Sequence, residues 1–360
     1  MPPPCRPALV SNQVEPTLRI ATLNVFVGSP LPFLFGATST LYNSERLFAQ
    51  INGLDALDVD ILCLQEVVCP RVLRAFKTKF KTDRFHCMHF CHEKGVRYGT
   101  TLAWVLICLL VGGLFSTYAA IWLVLTGDLP RFASTTTHLA LQISGILVSM
   151  VLTAISVHFA VRSSATYVWL TGIPTGLVVF VRNQPRLEVM KVQYGYFEEQ
   201  HGDFLNLFNP RGYIHISFTL DGARFRLVNT HLNHGDQNCR FRNAQVADLS
   251  RTLAYANIQV PSETFIVGDM NVPHGSLELA SLCQKNKVHS SMDGDTWCMR
   301  NELTRNAFLP TGPSRQLDFI LIPNHQAMIQ QTRGRLIFQQ PPYVSDHFGI
   351  VCSVAIHTAV

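Results

Sequence analysis

A chain of 360 residues is long enough for one large domain or two ordinary ones. Only 15% of its residues are charged against 48% hydrophobic, a sparse charge content for a purely soluble enzyme. The formal net charge of +5 suits phosphate-bearing substrates or an anionic lipid surface, but it is too small to argue for a nucleic-acid partner. Residues 1–17 carry Pro2, Pro3, Pro4, Pro7 and Pro16 with no apolar period, which predicts a disordered leader and not a cleavable signal. Ile20–Asn24 follows as an apolar strand ending in an amide. Glu45–Leu57 has Leu47, Phe48, Ile51 and Leu54 spaced for one helical face. Asp60–Glu66 is a second apolar strand, ending in a carboxylate, and Val68–Phe80 a second helix.

Two long apolar runs then interrupt the pattern. Leu102–Leu125 and Leu139–Val161 contain no Asp, Glu, Lys or Arg, and each exceeds the roughly 20 residues that a helix needs to cross a bilayer. Trp104, Tyr118, Trp122, Tyr167 and Trp169 lie in or near them as interfacial aromatics. Gly112-Gly113 and Ser144, Gly145, Ser149 and Ala154 permit close helix contact. The reading is a transmembrane hairpin, about 102–125 and 139–161, within an insert spanning 98–173. Two crossings return the chain to its starting side, so residues before and after the insert can share a site. Lys94, Arg97 and Arg162 flank the hairpin, while its turn carries only Asp128 and Arg131. The positive-inside bias therefore places the body of the protein on the cytosolic side, where thiols stay reduced.

Beyond the insert, strand and helix patterns alternate, which indicates α/β layers. Tyr213–Leu220 and Arg224–Val228 flank Asp221-Gly222, a two-residue hairpin signal. Phe225–His231 is a strand that ends in an imidazole, and Phe241–Ala256 reads as a helix. Thr264–Val272 delivers Asp269 and Asn271, which strand alternation would point to one face. Gln316-Leu-Asp318 opens the apolar run Phe319–Ile322, and Ser345-Asp346-His347 precedes Phe348–Val354. Cys63, Cys108 and Cys352 lie inside apolar runs and read as small hydrophobes. Cys87, Cys91 and His92 lack a second ligand pair at zinc spacing.

The order Asn24, Gln65-Glu66, Thr230-His231, Gly268-Asp269-Met-Asn271, Leu317-Asp318 and Ser345-Asp346-His347 resembles the endonuclease/exonuclease/phosphatase superfamily. The resemblance implies metal-dependent phosphoester hydrolysis on a four-layer α/β sandwich, two packed mixed sheets flanked by helices. It assigns that domain to residues 18–97 and 174–360, with the hairpin as an insertion. Thr175–Val181, Tyr194, Tyr196, His201-Gly-Asp203, Pro210-Arg-Gly-Tyr213 and Thr230–His234, followed by Arg242 and Gln245, are similar to neutral sphingomyelinases.

That branch implies a sphingolipid substrate, sphingomyelin or a relative, split into ceramide and a phosphorylated head group. It also implies Mg²⁺, with Mn²⁺ as a substitute. Glu66 is the implied principal ligand, with Asn24 beside it and Asp346 as a direct or outer carboxylate. Asp269 would orient or deprotonate the attacking water, and Asn271 would hold that water or a phosphoryl oxygen. His347, paired with Asp318, would contact the phosphate, and His231 would face the leaving alkoxide. The choice of general base among His347, His231 and Asp269 stays open. The apolar stretches Pro30–Gly36 and Phe204–Phe208 suit either a lipid interface or ordinary packing. A nuclease of the same superfamily is the alternative, although Lys and Arg are not concentrated near the motifs. A phosphoinositide phosphatase is another, although Asn271 is followed by Val272-Pro273 and Asp318 is preceded by Arg315-Gln-Leu.

Overall fold

The computed structural model describes residues 17–25, 44–67, 70–81, 83–89, 176–199, 211–305, 313–325 and 328–357. Two six-stranded sheets pack face to face. The first has the order β11-β12-β1-β2-β4-β3, with β1 Thr17–Asn24, β2 Ile61–Gln65, β3 Phe85–His89, β4 Val178–Arg182, β11 Ile329–Ile337 and β12 Gly349–Ile356. The second has the order β5-β6-β7-β8-β10-β9, with β5 Leu187–Tyr196, β6 Gly212–Leu220, β7 Ala223–His231, β8 Glu263–Asp269, β9 Val288–Ser290 and β10 Asp318–Pro323. Each sheet is mixed: β1 runs parallel to β2 and β7 to β8, while β12, β4 and β10 run antiparallel to their neighbours. Asp221 and Gly222 both have positive φ, as a two-residue turn between β6 and β7 requires.

Helices cover both outer faces. Helix α1 (Ser44–Asp55) and α2 (Pro70–Lys79) flank the first sheet, where Leu47, Ile51, Leu54 and Phe76 pack with Leu62, Leu64 and Phe180. Helix α3 (Cys239–Gln259) and α4 (Leu277–Asn286) cover the second, with Val246, Leu249 and Leu282 against Val228, Ile266 and Leu321. The Arg242–Glu278 ion pair ties α3 to α4, and Ser276 caps α4 by accepting from Leu279 N–H. A short helix α5 (Glu302–Arg305) precedes β10. The layers are therefore helix, sheet, sheet, helix, as the resemblance implied.

The core between the sheets explains the sequence pattern. Strand alternation sends Leu18 and Ile20, Ile61 and Cys63, Phe225 and Leu227, Phe265 and Val267, and Ile320 and Ile322 into it. Full burial of such side chains is worth roughly 1.5–3 kcal/mol each. Cys63 and Cys352 lie in this layer as free thiols and act as small hydrophobes, as expected.

Two expectations need correction. Phe48 is not on the buried face of α1; it is 68% exposed. Positions 47, 51 and 54 already define the apolar stripe, and the fourth inward place goes to Gln50, whose amide donates to Val25 O and Val344 O at 2.7 Å. Asn271 does not continue the strand of Asp269. β8 ends at Asp269, and Asn271 turns out with φ 51° while its N–H donates to Asp269 Oδ1 at 2.9 Å. The two residues form an Asx turn, so strand alternation does not apply to them. The leader, the 98–173 insert with its hairpin, Pro30–Gly36, Phe204–Phe208 and Cys108 lie outside the described residues, apart from Thr17 at the end of the leader. Among the described residues, no helix is long and apolar enough to cross a membrane.

Candidate active site

Topology brings polar groups from both sheets to one end of the sandwich. The parallel pair β1 and β2 ends at Asn24 and Gln65, and the parallel pair β7 and β8 ends at His231 and Asp269. Strand β10 runs the other way, so its first residue, Asp318, sits opposite Asp269. Strand β12 is likewise antiparallel to β1, so Ser345-Asp346-His347 arrives at that same end before β12 begins. The inward face of each strand thus changes from apolar to polar as it nears this end. Period-two alternation carries Phe225 and Leu227 on to Asn229 and His231, and Phe265 and Val267 on to Asp269.

Asp269 Oδ2 is the focal atom. Asn24 Nδ2 donates to it at 3.0 Å, His231 Nε2 lies 3.4 Å away and His347 Nε2 4.0 Å away. Asn24 Nδ2 also reaches Glu66 Oε1 at 3.2 Å, and His231 Nε2 lies 3.9 Å from that oxygen. Glu66 follows β2 with φ 58°, and this left-handed turn aims its carboxylate back over the strand ends. His347 Nδ1 lies 2.7 Å from Asp318 Oδ2. The structure therefore unites Asn24, Glu66, His231, Asp269, Asp318 and His347. Asn271 sits at the edge, its Nδ2 donating to Leu232 O at 3.0 Å. Asp346 is buried behind, within electrostatic reach of Glu66, His347 and Arg46.

Burial and charge set the protonation states. Burial raises Asp269 to about 7, helped by Asp318 and opposed by His347 and by hydrogen bonds from Asn24 and Asn271. Burial also raises Asp346 to about 6, with Glu66 adding to the shift and His347 and Arg46 opposing it. For His347, burial alone would favour the neutral ring, but Asp318, Asp346 and Asp269 overrule it and hold the imidazolium well above 6.5. His231 is the opposite case: burial first, then Arg211 and His347, keep it neutral well below 6.5.

The donor set fits a hard divalent cation. Glu66, Asp269, Asp318 and Asp346 crowd carboxylate oxygens around one imidazolium, with Asp269 and Asp346 raised first by burial. Buried Asp318 Oδ1 has no hydrogen-bond partner among the described groups. Asp269, Asp318 and His347 also bring candidate ligand atoms within 4.8 Å of one another. Held as a cation by Asp318, Asp346 and Asp269, His347 has no lone pair to offer a metal, so the oxygen donors around Glu66 make the better cradle.

Asn229 and Thr296 support the site without a place among the sequence motifs, and Ser345 of the Ser345-Asp346-His347 motif joins them. Asn229 bridges the sheets: its Oδ1 accepts from Gln65 Nε2 at 2.7 Å and its Nδ2 donates to Leu64 O at 3.0 Å and Val178 O at 3.1 Å. Thr296 Oγ1 accepts from Leu317 N–H and Asp318 N–H, both at 3.0 Å, and its carbonyl accepts from Phe348 N–H. Ser345 Oγ donates to Asn24 O at 2.6 Å and lies 3.3 Å from Asp346 Oδ1. A polar residue on the inward face of an apolar strand was the one available signal for Asn229. Thr296 lies in a loop and gave none.

Residues 166–308 match the sequence family described as Endonuclease/Exonuclease/phosphatase family 2. The matched stretch contains Thr230-His231 and Gly268-Asp269-Met-Asn271. It is 21% identical over 163 residues to a phospholipase C of Staphylococcus aureus, covering 39% of this chain and 49% of that protein. It thus spans about half the length of the curated relatives it matches. Among solved structures, sphingomyelinase C from Streptomyces griseocarneus superposes with a TM-score of 0.59 at 15% identity, covering 94% of this chain and 99% of the other. The human nocturnin catalytic domain with bound sulfate superposes with a TM-score of 0.57 at 16% identity, covering 95% and 94%. At these identities the superpositions show the fold.

Proposed function

We propose that the protein is a membrane-anchored, Mg²⁺-dependent phosphodiesterase that cleaves a sphingolipid in the manner of a phospholipase C, releasing ceramide and a phosphorylated head group. The observation that carries this reading is the convergence of Glu66, Asn24, His231, Asp269, Asp318 and His347 on one end of the sandwich. The chain's similarity to a bacterial phospholipase C supports the lipid substrate class.

Glu66 with Asn24 would hold the cation, with Asp346 supporting them. When bound, the cation would supply Lewis-acid charge for the phosphoryl oxygens. The protein's own groups divide the remaining tasks. Asp269, raised towards neutrality, holds the attacking water and takes its proton. His347, kept cationic by Asp318, faces the anionic phosphoryl group. The Nε2 edge of His231 faces the same space and serves the departing alkoxide. Asn271 closes the turn that fixes the Asp269 carboxylate.

The membrane part of the reading rests on the apolar runs Leu102–Leu125 and Leu139–Val161. Strand β3 ends at His89, paired with Val178 at the start of β4, and Val178 also borders Asn229 and Leu64 near the site end of β2. Val67 N–H donates to Gly176 O at 2.9 Å, one residue from Glu66. The chain therefore leaves for the insert and returns from it at the rim of the site. An anchor at 98–173 would hold the mouth towards its own bilayer.

The test is head-group release from mixed micelles across a lipid panel that includes sphingomyelin, phosphatidylcholine and a phosphoinositide, with an abasic DNA duplex in parallel, with Mg²⁺ and with chelator. Mg²⁺-dependent release of phosphocholine from sphingomyelin is the expected result. Cleavage of the duplex alone, or of the phosphoinositide alone, would replace the sphingolipid reading with a nuclease or phosphatase.

A further inference from the structure

We infer that Arg211 is a positioning residue that, by donating to His231 Nδ1, fixes the ring's orientation and tautomer and so directs the Nε2–H of His231 into the site. The inference deepens the reading of the site given above.

Arg211 immediately precedes β6, and Gly212 pairs with His231 at the end of β7. Its backbone is held tightly. Arg211 O accepts from Phe197 N–H at 3.2 Å, and a Cβ at Gly212 would meet Gly195 O at 2.3 Å, so the edge strand presses directly on this point. Both Arg211 and His231 are buried. Arg211 Nη1 lies 2.7 Å from His231 Nδ1.

A guanidinium has donors and no acceptor. Across that 2.7 Å contact Arg211 must therefore donate, and His231 Nδ1 must present its lone pair. The proton of the neutral ring then resides on Nε2. That nitrogen points into the site, 3.4 Å from Asp269 Oδ2 and 3.9 Å from Glu66 Oε1. A proton on Nδ1 would set one N–H against another, so the contact with Arg211 selects the tautomer with its proton on Nε2. Loss of the Nε2 proton would leave an imidazolate. His231 thus offers a directed N–H to an oxygen that gains charge, and it has neither ring nitrogen available as a metal ligand.

The two active-site histidines are set in opposite states by opposite partners. Asp318 accepts from His347 Nδ1, while Arg211 donates to His231 Nδ1. Proton traffic falls to His347 and Asp269, and His231 stabilises charge.

Histidine-selective ¹⁵N NMR of the full chain, assigned with His231→Gln and recorded with and without Mg²⁺, reads the tautomer directly. The expected spectrum has His231 Nδ1 unprotonated and Nε2 protonated. In Arg211→Met that preference should be lost, and kcat should fall roughly 10–100-fold with KM within a factor of about two. Arg211→Lys, which retains a donor, should recover part of both. A wild-type His231 carrying its proton on Nδ1, or on both nitrogens near neutral pH, overturns the inference. So does an unchanged tautomer in Arg211→Met. If Arg211→Met does not fold, the wild-type and Arg211→Lys spectra decide. Absence of activity on every lipid would refute the substrate reading and leave the spectral result intact.

Discussion

Replacing Asn229 with Leu should weaken the whole sandwich and blunt the site together. Asn229 is fully buried and makes three hydrogen bonds across the gap between sheets: from Gln65 Nε2, to Leu64 O and to Val178 O. Gln65 retains a second partner in Thr22, with Nε2 3.1 Å from Thr22 Oγ1, so part of that loss is softened. The freed carbonyls have no replacement donor from Leu. At about 1–3 kcal/mol for each of the two carbonyls that lose the Asn229 amide, the destabilisation is on the order of 2–6 kcal/mol. A domain typically has about 5–15 kcal/mol in total, so the change is large. The effect should also reach Mg²⁺ binding, because Gln65 adjoins Glu66 and Asn229 lies two residues before His231. Urea unfolding by circular dichroism, with the Mg²⁺-induced rise in midpoint recorded in parallel, measures both. A destabilisation under about 1 kcal/mol would refute the argument, since it would mean that the polar bridge is no better than an apolar filler.

Further expectations concern charge and metal. Glu66→Gln should abolish the thermal stabilisation by Mg²⁺, which in wild type amounts to about 2.7 kcal/mol when the ion is at 100 times its Kd; an equal Tm rise in the variant would exclude Glu66 as a principal ligand. Asp318→Asn should cut turnover roughly 10²–10⁴-fold with an unchanged far-UV spectrum, because His347 loses the carboxylate that maintains its cation. Steady-state kinetics showing less than a fivefold loss would count against that role. Buried His215, outside the site, is lowered to about 4 by desolvation, then by Arg226 and Lys191. Its contribution to stability is complete above the unfolded value of 6.5 and is lost as pH falls from 6.5 towards 4. The loss is at most about 3 kcal/mol by linkage, and His215→Leu should flatten that part of the stability profile. An unaltered slope in the variant would show that other groups govern acid unfolding.

The amino-acid order alone determined the layered α/β character and the motif residues, because both depend on short-range regularities. Apolar alternation marks strands, and a polar group where the run stops marks a strand end. That logic marked Asn24, Glu66, His231 and Asp269, with Asp318 standing out as the residue that opens a run, and needed the family resemblance to join them into one site. It failed at Asn271, where the strand ends two residues earlier than alternation assumed, and at Phe48, where the helix face was read too broadly. Only the tertiary structure decided which strand ends meet. Antiparallel pairing of β10 with β8 and of β12 with β1 converts strand beginnings into neighbours of strand ends, and no local signal encodes that reversal. It also decided the charge state of the two histidines. Burial, Asp318, Asp346 and Asp269 act on His347, and burial, then Arg211 and His347, act on His231, so these surroundings exist only in the folded site.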